Sequence, residues 1–213
     1  MRMIALGLLA ALALTACGKA EEKAEAPPAP PAAFPNLFQT SYRAESVMTD
    51  SHGQTTQVVT IRDGQKMRME FSGPGARTII SNPETGEVFV VMDQGGAPMA
   101  MRIAGLDIPD AATVWQNQYG GTAVRGGPCS AAGESGFEWA TGDGNTSCVT
   151  NDGIFLRAAE AGRTTWETTS VQRGPQSAAL FAPPTGVRIM DMSGMRGAAQ
   201  NALDKMGQPG GGQ

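Results

Sequence analysis

Histidine is almost missing from this sequence: His52, beside Gly53, is the single one. Aromatic residues make up only 6% of the chain and charged residues only 17%, with a net charge of −4. There is no basic excess with which to neutralise a phosphate backbone, so nucleic acid is excluded as a partner. Long apolar runs are lacking too. The charge-free stretch at residues 4–14 is roughly ten residues, about half of what a membrane-spanning helix needs. The sequence has no nucleophile elbow, no paired His-Glu motif and no Gly-rich phosphate loop. Ser170, Thr169 and Asp152 supply hydroxyls and a carboxylate, but no spacing joins them, and they read as strand hydroxyls and a turn aspartate. The expectation is a non-catalytic protein with no cofactor, no metal and no catalytic residues.

What is present begins at the N-terminus. Arg2 precedes the apolar run, and small residues follow it, the pattern of a secretory signal peptide over residues 1–16. The next element, Leu14-Thr15-Ala16-Cys17, resembles the lipobox of bacterial lipoprotein precursors. That resemblance implies cleavage before Cys17, a diacylglyceryl thioether on its sulfur and a further palmitate-type chain on the new N-terminus. Each buried methylene contributes about 0.8 kcal/mol, so several chains make the membrane anchor effectively permanent. Gly18 and Lys19 stand where an aspartate would resemble an inner-membrane retention signal. The expected location is therefore the outer membrane, facing the periplasm. Residues 17–37 then mix Lys, Glu, Ala and Pro, with Pro27, Pro28, Pro30 and Pro31 favouring an extended tether of about 3.1 Å per residue.

Of three cysteines, lipid accounts for one, leaving Cys129 and Cys148 as an expected disulfide in an oxidising compartment. Closing a loop of about 20 residues stabilises by roughly 3 kcal/mol in the chain-entropy model. The residues between them, rich in Ser, Ala, Gly and Asp, offer little apolar surface of their own. A single β-rich domain is expected over residues 38–192, followed by a weakly helical and then disordered tail over residues 193–213.

Period-two alternation with regular turn signals predicts consecutive antiparallel strands through the first half of the domain. Residues 57–62 lead into Asp63-Gly64, a strong hairpin signal. The return strand places Met67, Met69 and Phe71 on one face and Lys66, Arg68 and Glu70 on the other. Residues 87–92 are apolar enough to be covered on both sides. A short helix is expected from Asp107 to Gln116, with Pro109 in its first turn, ending before Gly120-Gly121. Residues 136–140, 147–150, 154–157 and 163–172 form a second meander around the Asn151-Asp152-Gly153 turn.

That second meander, followed by Leu180-Phe181-Ala182-Pro183-Pro184-Thr185-Gly186, resembles uncharacterised families of small bacterial lipoproteins related to the LolA/LolB carriers. The resemblance covers about residues 38–192. It implies a mainly β fold: a curved antiparallel sheet, or half-barrel, with one or two short helices covering its concave face and an apolar cavity between. In those carriers the cavity holds acyl chains under the control of a lid arginine, and no residue here matches that arginine.

Methionine is plentiful, at 12 residues. Met67-x-Met69, Met99-x-Met101 and Met190-x-Met192 each place two thioethers on one strand face. Adaptable packing is one use of such residues; soft ligation of Cu(I) is another, although no histidine or spare cysteine remains to complete a site. Three readings follow. The first is a periplasmic binding module for a lipid-like or hydrophobic ligand, its groove lined by Met67, Met69, Phe71, Met99, Met101, Ile103 and Trp166. The second is a structural or interaction protein of the envelope without a ligand. The third is a methionine-based copper or stress-response lipoprotein. The membrane is the expected partner, through the N-terminal lipid, and no protein partner is indicated.

Overall fold

Strand-forming segments separated by Gly-centred turns give a mainly β architecture in the computed structural model, which describes residues 33–73, 75–93, 98–104 and 111–192. The expected signal peptide, Cys17, most of the tether, the start of the helix at Asp107 and the tail lie outside the described residues. The first meander comprises β1 (Tyr42–Thr49), β2 (Thr55–Asp63), β3 (Lys66–Phe71), β4 (Arg77–Asn82), β5 (Glu87–Asp93) and β6 (Pro98–Ala104). Helix α1 (Ala111–Gln118) connects it to the second: β7 (Val124–Ala131), β8 (Glu134–Ala140), β9 (Thr146–Thr150), β10 (Phe155–Glu160) and β11 (Arg163–Arg173). A 3-10 turn at Ala178–Phe181 leads to β12 (Arg188–Asp191).

All these strands form one unclosed sheet in the order β12-β6-β5-β4-β3-β2-β1-β11-β10-β9-β8-β7. The two meanders meet where β1 pairs antiparallel with β11, from Tyr42↔Arg173 to Met48↔Trp166 across a bulge after Glu45. One pairing departs from the antiparallel expectation: β12 runs parallel to β6, in the register Arg188↔Met99 to Asp191↔Arg102. Arg102 holds it there, donating to Asp191 on β12 and, at 3.1 Å, to Glu87 on β5.

The Asp63-Gly64 hairpin forms as anticipated, closed by Asp63↔Lys66 with Gly64 at φ +61°. Residues without a turn signature make two other tight turns. Ala132-Gly133 and Ala161-Gly162 both hold positive φ at each residue, the conformation for which Asn-Gly is the usual solution.

Three apolar clusters fill the two faces. On one face α1 contributes Ala112 and Trp115 to a core with Val58, Met67, Met69, Trp139, Val149, Phe155, Ala158 and Trp166. On the opposite face the 3-10 turn lays Phe181 over Ile61, Ile80 and Phe89. Strand β5 is covered on both sides, since Val88 and Phe89, successive residues, are both buried.

A third cluster joins Tyr42, Ala44, Cys148, Ile154 and Leu156, with Cys129 against it. The Cys129–Cys148 disulfide links β7 to β9, which are not neighbours, because β8 runs between them. In a flat sheet such strands would lie roughly 9.5 Å apart, whereas these α-carbons are 6.0 Å apart. The edge therefore folds over. A bulge between Arg125 and Pro128 bends β7, and Gly136 on β8 has no β-carbon, which would otherwise sit 2.2 Å from the Val149 carbonyl oxygen. Pro128 is tolerated because β7 is an edge strand.

Packing starts before the Phe38 boundary expected from sequence. Leu37 is fully buried, and its N–H donates to Gln116 Oε1 on α1 at 3.0 Å. Phe34 stacks on Trp115 and meets the edge of Trp139, with centroids 5.1 Å apart in the second pair. The segment leading into β1 thus straps the helix onto the sheet.

Candidate functional site

A cleft of ≈ 610 Å³ lies beside α1 on the sheet face that the helix covers. One wall comes from Met69 and Phe71 on β3 and Arg77 and Ile79 on β4. The other comes from Ala158 and Glu160 on β10 and Arg163, Thr165 and Trp166 on β11. Met48 with the β1–β2 turn, Thr49 to Ser51, closes the bottom, while Val114, Trp115, Gln118 and Tyr119 of α1 form the roof. Strand alternation explains the walls: Met69, Phe71, Ile79 and Met48 sit at positions that all point toward the helix side.

The interior is apolar and the rim is charged. Arg77 lies over the Phe71 ring at 4.3 Å. Arg163 donates to the Asp50 carbonyl across the β1–β2 turn. The Asp50 carboxylate accepts N–H bonds from Gln54 and His52, both at 2.8 Å, which holds its pKa below the ordinary carboxylate value, Gln54 having the larger effect. Asn145 donates to the Tyr119 hydroxyl at 3.3 Å and so ties the end of the roof to the β8–β9 loop.

Deeper under α1 the face becomes polar. A second cavity, ≈ 10 Å³, is bounded by Ala112, Phe155, Trp166 and the hydroxyls of Ser46, Thr60 and Thr168. Thr168 is the junction: its hydroxyl donates to the Phe155 carbonyl at 3.0 Å, receives the Trp166 indole N–H at 3.3 Å and lies 3.1 Å from the Ser46 hydroxyl. Arg62 is fully buried on this face of the sheet, over the Phe38 ring at 5.2 Å and near the Met67 sulfur at 3.8 Å.

Of the residues expected to line a groove, Met69, Phe71 and Trp166 line this cleft. Met67 is buried in the adjoining core and does not reach the cleft wall. Met99, Met101 and Ile103 share the same sheet face, through the rows Phe71-Arg77-Met92-Met99, Met69-Ile79-Val90-Met101 and Met67-Ser81-Val88-Ile103. They belong to β6, three strands from β3, and are half-buried away from the cleft. The groove expected from sequence thus divides into a cleft and a separate methionine-bearing flank. Ile79, Val114, Trp115 and Tyr119 also line the cleft, and no sequence signal marks them for it. Period-two reading could not choose a face for the run Thr78-Ile79-Ile80, and it could not orient a short helix.

The other polar residues considered are committed elsewhere. Asp152 accepts from Thr150 at 2.6 Å, from Thr40 at 3.2 Å and from Arg173. The same arginine grips Glu134 in a bidentate pair at 2.8 and 3.0 Å. The Arg173 guanidinium, foremost, holds Asp152 at a pKa of about 2 and keeps that of Glu134 low as well. Thr169 donates to the Glu45 carbonyl at 3.1 Å, and His52 sits exposed in the β1–β2 turn.

No protein-family model matches this chain, and no curated protein matches it. Among solved structures it is similar to PNGF-II, with a TM-score of 0.44 at 14% identity in the C2 crystal form, over 75% of this chain and 32% of that one. For the P21 form the values are 0.43 and 13%, over 76% and 33%. The chain therefore spans about one third of the length of those structures.

Proposed function

We propose that this chain is a membrane-anchored periplasmic lipoprotein, held to the outer membrane by lipid on Cys17. Its domain is a non-catalytic binding module, a LolA/LolB-like half-barrel that takes a lipid-like or hydrophobic ligand. The observation that carries the reading is the apolar cleft of ≈ 610 Å³ between an unclosed sheet and its one α-helix among the described residues. Its volume falls within the roughly 300–1,000 Å³ of small-molecule sites. Its exposed lining is mainly apolar, with Met69, Phe71, Ile79, Val114 and Trp166 at its centre, and suits a chain whose burial is favourable by about 0.8 kcal/mol per methylene. Charges confined to the rim suit an amphiphile whose polar end stays in water.

The test is uptake of a fluorescent fatty-acid probe by the full chain, with Trp115 in the cleft roof and Trp166 in its wall as energy donors to the probe. Val114→Lys puts a charge on the half-buried roof without opening the core, and Met69→Asp puts one in the β3 wall. Both are expected to weaken uptake at least tenfold, the first with an unchanged far-UV spectrum. Uptake unaffected by Val114→Lys would overturn the assignment of the cleft. The anchor is tested separately: radiolabelled palmitate is expected to enter the wild-type chain and not Cys17→Ser.

A further inference from the structure

Four methionines that do not line the cleft come together toward one end of the sheet. On β6, Met99 lies directly opposite Met92 of β5, and Met101 lies directly opposite Met190 of β12. Met99 and Met101 are two residues apart on one strand, so all four thioethers emerge from the same sheet face in two adjacent rows. Opposed residues on paired strands have β-carbons about 4.5–5.5 Å apart, within reach of one another's flexible side chains. Two Met-x-Met pairs far apart in sequence are thereby set side by side, and the Arg102–Asp191 ion pair fixes the register that does so. Met92, which belongs to no such pair, adds a third strand.

Burial separates this group from methionines that only fill space. Met67 and Met69 in the core are 3% and 5% exposed, whereas Met190 is 39% exposed and Met92, Met99 and Met101 are half-buried. A cluster of partly solvent-accessible thioethers contributes little to a core and is open to a solute.

We propose that Met92, Met99, Met101 and Met190 form a binding site for a soft monovalent cation, Cu(I) or its redox-stable analogue Ag(I). Neutral, polarisable sulfur donors select such ions over hard ones. Arg77 and Arg188 stand at the two ends of the Met92–Met99 row. These guanidiniums, with no carboxylate in either row, oppose divalent Ca²⁺, Mg²⁺ and Zn²⁺ about twice as strongly as a monovalent ion, whose binding rests on the soft sulfur donors alone. The ion binds without change of oxidation state, and the site is separate from the ligand cleft.

Full-length protein carrying ¹³C-methyl methionine would be titrated with Ag(I), with Cu(I) affinity measured by competition against a chromogenic chelator. The expected result is one equivalent bound, with shifts confined to the methyl resonances of Met92, Met99, Met101 and Met190. Met67 and Met69 serve as internal controls. Met99→Leu with Met101→Leu preserves volume and is expected to weaken binding at least tenfold while leaving the thermal midpoint within a few degrees. Absence of binding, binding unchanged in the double variant, shifts centred on Met67 and Met69, or equal binding of Zn²⁺ would each overturn the proposal.

Discussion

The carbonyl oxygen of Asn36 occupies the place where a β-carbon on Gly153 would have to be: the two would lie 2.0 Å apart. Gly153 also holds φ +89° in the β9–β10 turn. A glycine is thus required twice over, by its own turn and by a chain segment more than a hundred residues away. Gly153→Ala is expected to cost about 2–4 kcal/mol, from overlap and left-handed strain together. Gly64→Ala is the control, since Gly64 has positive φ with open space around it, and is expected to cost only about 1 kcal/mol. Urea denaturation of the two variants decides; equal losses would show that the Asn36 approach is inconsequential.

The disulfide locks a strand that is otherwise weakly held. Most of β7 is exposed and it pairs on one side only. Replacing both Cys129 and Cys148 with alanine is expected to lower stability by roughly 3 kcal/mol. Amide exchange should accelerate in β7 and change little in β1 and β11. Uniform acceleration throughout the sheet would argue against a local clamp.

Acid should release the corner built on Arg173. The folded-state pKa of Asp152 is depressed to about 2 by that guanidinium. Its contribution is therefore fully present above the unfolded value near 4 and is lost as pH falls through about 2. With both partners about 40% exposed, screening reduces the effect to on the order of 1 kcal/mol. Denaturation midpoints between pH 5 and pH 2 should fall less steeply in Asp152→Asn than in the wild type, and parallel curves would refute the linkage.

Alanine is an expensive choice at two turns. Ala132 and Ala161 hold φ of 54° and 50°, a region that asparagine tolerates better. Ala132→Asn is expected to stabilise by about 0.5–1 kcal/mol, read as a rise of roughly 1–4 °C in the thermal midpoint.

Local chemistry made the β2–β3 hairpin legible, because Asp63-Gly64 and the alternation of Met67, Met69 and Phe71 point to the same answer. The disulfide was legible by counting cysteines. Strand β7 was not: Gly126, Gly127 and Pro128 are poor strand formers, and pairing with β8 together with the bond to Cys148 overrides that preference. The burial of Phe34 and Leu37 was hidden for a related reason. They adjoin a proline-rich tract that cannot pack, and only the distant partners Trp115, Trp139 and Gln116 give them an interior to enter. The cleft was half legible. Periodicity found one wall at Met69 and Phe71, whereas its roof depends on where an eight-residue helix lands.

The seam between β1 and β11 joins strands about 120 residues apart, and it sits in the middle of the sheet. During vectorial synthesis each meander can zip up from its own hairpins, but β1 keeps one side bare until Arg173 has emerged. Contacts of such range are slow to form. The nascent first meander is then a sheet with a free interior edge, the state in which such chains pair with strangers. A chaperone that caps β1 would matter more to this protein than one that shields any apolar patch of its finished surface.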